Sequence, residues 1–147
     1  MDILDMLAAN EESIGNVYKA YEERFPEYRD FWARLVDDEV EHASRIRKLN
    51  VEVKRGLLPL TDRRFKEEAI QTYRQYLEKE LNSAQRQDMS LIDALSIALY
   101  IEKSLIEHEF FEVFEEDSVE VKALLLGLKA ATKAHLSRVQ EAWSKNR

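Results

Sequence analysis

The sequence predicts an all-α chain, and three observations predict it. Gly and Pro are scarce, at 3 and 2 of 147 residues, in a chain rich in Ala, Leu, Glu, Lys and Arg, the good helix formers. Charged residues make up 35% and hydrophobic residues 45%, enough of each for polar faces and a core. Apolar residues also recur at three- and four-residue steps through successive segments, which is the spacing of one helix face. The length suits one domain with its own core and is short for two.

The first helix is expected from about Asp2 to Arg24, with the stripe Leu7, Glu11, Ile14, Tyr18, Tyr21 and Phe25. Glu12 falls on an adjacent line with Ala8, Gly15 and Lys19, so of the two acids Glu11 is the better candidate for pointing inward. Pro26 suits the first turn of a second helix, where its missing N–H would be unpaired anyway. That helix runs to about Val51 and carries Trp32, Leu35, Glu39, His42, Ile46 and Leu49 on one face. "GLLPLTD", Gly56 to Asp62, is the one strong interior loop signal, with a Gly, a Pro and a polar cap.

Arg63 to Ala84 forms a further amphipathic stretch through Phe65, Ala69, Tyr73, Tyr76 and Leu77, and its expected job is connection and cover. Ser90 with Asp93 resembles a capping box opening a long helix to about Glu116. Leu95, Ala98, Glu102, Leu105 and Glu109 occupy one face of it, with Phe110, Phe111 and Phe114 beside them. The last helix is capped by Asp117 with Glu120, or by Ser118 alone. Its stripe reads Val121, Leu124, Leu128, Thr132, His135, Val139 and Ala142. Each half of the chain therefore holds one helix with an inward Glu followed by one with an inward His.

Composition excludes several classes of function. Twenty-nine acidic residues against 22 basic ones give a net charge of −7, which repels phosphate backbones and anionic lipid, so neither nucleic acid nor membrane is an expected partner. "MDILDMLAAN" lacks a basic region followed by an apolar run, and no stretch approaches the ~18 apolar residues of a membrane span, so a cytoplasmic protein is expected. The chain has no Cys, which rules out disulfides, a cysteine nucleophile and an iron–sulfur or rubredoxin-type centre carried on it. Any metal must be held by oxygen and nitrogen.

The inward polar residues are where chemistry is expected. A buried carboxylate without a partner is costly, and several would undermine so small a domain. Glu11, Glu39, His42, Glu102 and His135 therefore need one another, water or a metal. Four-helix bundles solve this with a dinuclear site, made of one Glu from each of two helices and a Glu-x-x-His pair from each of the other two. Residues three apart lie about one turn apart on the same face, so a long Glu and a shorter His reach adjacent positions around one ion. Carboxylates chelate or bridge, imidazoles bind through nitrogen, and the set suits iron or manganese.

Glu11 with Tyr18 seven positions later, "EVEH" at Glu39 to His42, "IEKS" around Glu102 and "TKAH" at Thr132 to His135 give the chain its resemblance to the ferritin-like superfamily, and within it to the rubrerythrin-like proteins. The resemblance covers nearly the whole chain. It implies a ferritin-like four-helix bundle with a long helical crossover, Val53 to Met89, between the second and third bundle helices. It also implies one or two iron ions, or manganese, held by Glu11, Glu39, His42, Glu102 and His135, with redox chemistry toward peroxide or dioxygen. Tyr18 would hydrogen-bond a ligand carboxylate. The chain departs from the family at Thr132, a neutral residue where the second Glu-x-x-His would have its acid. Glu109 is a poor substitute, lying about 10 Å from Glu102 along the helix. The rubredoxin-like cysteine module is also missing, so electrons would come from an external donor, and a homodimer is the expected assembly. The rival readings are an iron-sequestering or sensing module without catalysis, and a metal-free structural bundle. His108 and Glu107 lie off the stripe and read as surface.

Overall fold

A computed structural model describes residues 2–58, 67–86, 88–108 and 110–147, all of whose regular elements are helical. Five α-helices follow in order: α1 (Ile3–Arg24), α2 (Arg29–Lys54), α3 (Glu67–Ala84), α4 (Leu91–Glu107) and α5 (Val119–Asn146). α1 packs along α2 and α4 along α5, α3 lies against α1, and α2 touches α5. One buried apolar cluster draws residues from all five helices. No helix among the described residues is long and apolar enough to cross a membrane.

The ends of these helices follow from local chemistry. Asp2 caps α1 by accepting from the Asp5 N–H at 3.0 Å. Pro26 does not begin α2 as expected. It opens a separate 3-10 turn, Pro26–Tyr28, and α2 starts at Arg29. The pyrrolidine ring fixes φ near the value both helix types share, so proline alone does not choose between them. α2 ends in a Schellman turn, where Gly56 takes φ 74° and the Gly56 and Leu57 N–H groups donate back to the Val53 and Glu52 carbonyls. Pro59 to Asp62 and the expected helix start at Arg63, with Phe65, lie outside the described residues.

α4 opens with the expected capping box, Ser90 and Asp93 each bonding the other's backbone N–H. It ends at Glu107, nine residues before the expected Glu116. Continuation would have put Glu112, Glu115, Glu116 and Asp117 at the negative end of the helix dipole. The chain turns instead and buries Phe110 and Phe111 together, while Asp117 accepts from the Phe114 N–H at 2.8 Å. Of the two caps considered for α5, the structure uses Ser118, whose hydroxyl accepts from Val121 at 3.2 Å. In α5 the buried position between Val121 and Leu128 is Leu125, and Leu124 is half-buried. Glu107 and His108 are exposed, as expected.

Candidate metal centre

The five candidate ligands converge from four helices. Glu11 comes from α1, Glu39 and His42 from α2, Glu102 from α4 and His135 from α5, and all five are buried. Their donor atoms form two groups, Glu11–Glu39–His42 and Glu39–Glu102–His135, and within each group the atoms lie within 4.8 Å of one another. Glu39 belongs to both. The choice between adjacent acids on α1 is also resolved: Glu11 is buried, whereas Glu12 is exposed and pairs with Arg47.

The helical step explains this convergence. Glu39 and His42 lie one turn apart on the face that also buries Trp32, Leu35, Ile46 and Leu49, so the packing that fixes α2 fixes both polar groups. His42 Nδ1 is 3.6 Å from Glu39 Oε2. Across the core, His135 Nδ1 is 3.3 Å from Glu39 Oε1 and 3.5 Å from Glu102 Oε1. The two imidazoles stack with centroids 5.7 Å apart. Tyr18 donates to Glu102 Oε1 at 2.8 Å, a hydrogen bond to a candidate ligand carboxylate of the kind that the resemblance implied.

The protein alone leaves this cluster incompletely satisfied. Glu11 Oε2, Glu39 Oε2, Glu102 Oε2 and His135 Nδ1 are buried with no hydrogen-bond partner among the described residues. Four orphaned oxygen and nitrogen atoms in one desolvated place are costly, and cations held in the two groups would satisfy them. The donor set, three carboxylates and two imidazoles without sulfur, suits a divalent cation bound through oxygen and nitrogen.

Without a metal the cluster must hold protons. Burial, then the charges of Glu39 and Glu102, push the Glu11 carboxyl well above the usual range. Burial acts upward on Glu39 too, but Glu11, His135 and His42 outweigh it and hold Glu39 well below the usual range. The proton shared between these two acids therefore resides on Glu11. Glu102 is also raised, chiefly by burial. Burial disfavours the His135 cation, yet Glu102 and Glu39 overcome that and push it up to about 10.

A further residue holds His135 in place. Asp38 Oδ2 sits 2.9 Å from His135 Nε2 and also accepts from Arg138 at 3.3 Å. Nε2 donates to this carboxylate, which directs Nδ1 toward Glu39 and Glu102. The apolar stripe of α2 gave no sign of Asp38, because it lies one position off the buried face and is half-buried. Its signal would have been an acid beside the Glu of a Glu-x-x-His.

Thr132 is buried on the same face of α5, one turn before His135, where a symmetric site would have its second acid. Its hydroxyl donates to the Leu128 carbonyl of its own helix at 2.8 Å. Glu109 lies outside the described residues. The chain matches no known protein-family model, no curated protein and no solved structure.

Proposed function

We propose that the chain is a ferritin-like four-helix bundle of rubrerythrin-like type, formed by α1, α2, α4 and α5 with α3 as the crossover. It binds two iron or manganese ions and reduces peroxide or dioxygen. The observation that carries this reading is the membership of Glu39 in both buried triads. Glu11 and His42 would hold one ion, Glu102 and His135 the other, and Glu39 would bridge them. Bound metal would supply the redox electrons and an open coordination position for the oxidant.

The residues of the chain do the rest. Ile14, Leu35 and Ala98, each about one helical turn from Glu11, Glu39 and Glu102, are buried with them, and seclusion from bulk water strengthens every electrostatic interaction inside. Tyr18 fixes one oxygen of Glu102, and Asp38 fixes the ring of His135. With no cysteine on the chain, an external electron donor would complete a redox cycle.

Thr132 favours a second reading, an iron-binding module that sequesters or senses without turnover, because one ion would lack a carboxylate. Elemental analysis of protein purified without added metal, compared with the paired change Glu39→Ala and His42→Ala, tests metal binding. One or two equivalents of iron or manganese, lost in the variant, support it, and no metal after anaerobic Fe(II) loading overturns it. Peroxide consumption matched to Fe(II) oxidation then supports the redox protein, and slow, unmatched oxidation supports the module.

A further inference from the structure

The chain has six tyrosines, and four of them, Tyr18, Tyr73, Tyr76 and Tyr100, lie in steps from the buried carboxylates to the surface. Tyr18 is fully buried and hydrogen-bonded to Glu102. Tyr73 on α3 donates its phenol O–H to the Ile101 carbonyl at 2.9 Å, beside Glu102 on α4. Tyr73 and Tyr76 stack with centroids 6.2 Å apart and planes 20° from parallel. Tyr76 meets Tyr100 of α4 at 5.1 Å, and Tyr100 is 58% exposed.

A second set of oxidisable rings stays in the core: Tyr18 contacts Trp32 at 5.7 Å, and Trp32 contacts Tyr21 at 4.9 Å. A third direction, from Trp32 toward Tyr28, passes through Phe31, whose ring is not readily oxidised. Tyr76 therefore links Tyr73 to Tyr100 and to the open groove around it, which Thr72 and His108 also line.

We propose that this tyrosine path is a redox relay, carrying an oxidising equivalent from the buried centre to Tyr100, where a one-electron reductant in solution can remove it. The inference rests on the metal-binding reading above. The relay is needed when peroxide meets a centre that can supply only one electron, as with a single Fe(II). Peroxide then takes one electron from Fe(II) and one from a tyrosine: H2O2 + Fe(II) + Tyr–OH + H+ gives Fe(III), a tyrosyl radical and two waters. Tyr18 is the first donor, releasing its proton along the hydrogen bond to Glu102. Transfer outward restores Tyr18 and leaves the radical on Tyr100. An enediol such as ascorbate then reduces it by giving one electron and one proton.

The test loads the protein anaerobically with one equivalent of Fe(II), adds peroxide with a nitroso spin trap, and maps trapped radicals by peptide mass spectrometry. Iron content and peroxide loss are measured on the same samples. The relay predicts an iron-dependent adduct on Tyr100 that ascorbate suppresses. In Tyr76→Phe that adduct is lost, while iron content and peroxide loss are kept and adducts appear at Tyr18, Tyr21 or Trp32. Tyr100→Phe, at an exposed position, removes the surface adduct without threatening the fold and moves it to Tyr76. If iron binds and peroxide is consumed but the Tyr100 adduct is absent, or survives Tyr76→Phe, the relay is overturned and the metal reading stands. If no iron binds, both fall.

Discussion

Metal binding at this cluster must displace protons. His135 is raised to about 10 and so holds its proton at pH 7, Glu11 is pushed well above the usual carboxyl range, and Glu39 is held well below it. A cation needs the carboxylate and the free imidazole nitrogen. An ion in the Glu39–Glu102–His135 group therefore displaces about one proton from His135, and an ion in the Glu11–Glu39–His42 group displaces the proton that Glu11 retains. Each released proton makes binding about 1.4 kcal/mol more favourable per pH unit, roughly tenfold in affinity. Isothermal titration with Mn(II) in buffers of different ionisation enthalpy reads the proton count directly. At least about one proton released on full loading near pH 7 is the expected result, and Glu11→Gln should lower the count. A count near zero would mean that Glu11 and His135 carry no protons to lose, and would refute this electrostatic reasoning.

Three further outcomes follow from the same contacts. Asp38→Asn should weaken metal binding by about 10- to 100-fold, read by competition with a chelator, because His135 loses the carboxylate that orients its ring. Tyr18→Phe removes a buried hydrogen bond to a carboxylate and should cost the metal-free protein about 1.5–3 kcal/mol, seen as a lower urea midpoint. In metal-free protein, folded His135 keeps its proton up to about pH 10, whereas the unfolded chain releases it near ~6.5. The folded state binds more protons across that window, so this stabilisation is complete below about pH 6.5 and fades toward pH 10. An unchanged urea midpoint from pH 6 to 9.5 would contradict it.

The helices and the inward polar residues were legible because a helix that packs on one side repeats every three or four residues. That is why Glu11, Glu39, His42, Glu102 and His135 stood out among apolar neighbours, and why each is buried. What periodicity does not encode was read less well. Pro26 fits either helix type at its first turn, and the end of α4 is decided by the burial of Phe110 and Phe111 against an acidic run. Asp38 was missed because it lies at the edge of the α2 face, where its partners come from α5, 97 and 100 residues away. The tyrosine path is also a property of three dimensions, since Tyr18, Tyr76 and Tyr100 lie on three different helices.

The sharing of Glu39 between two ions is tested most directly by X-ray absorption on protein loaded anaerobically with Fe(II). A metal–metal distance of about 3.5–4 Å, present in the native chain and absent in Glu39→Ala, is the predicted result. An iron signal with no second iron at that range, or one that persists unchanged in Glu39→Ala, would contradict a centre bridged by this carboxylate.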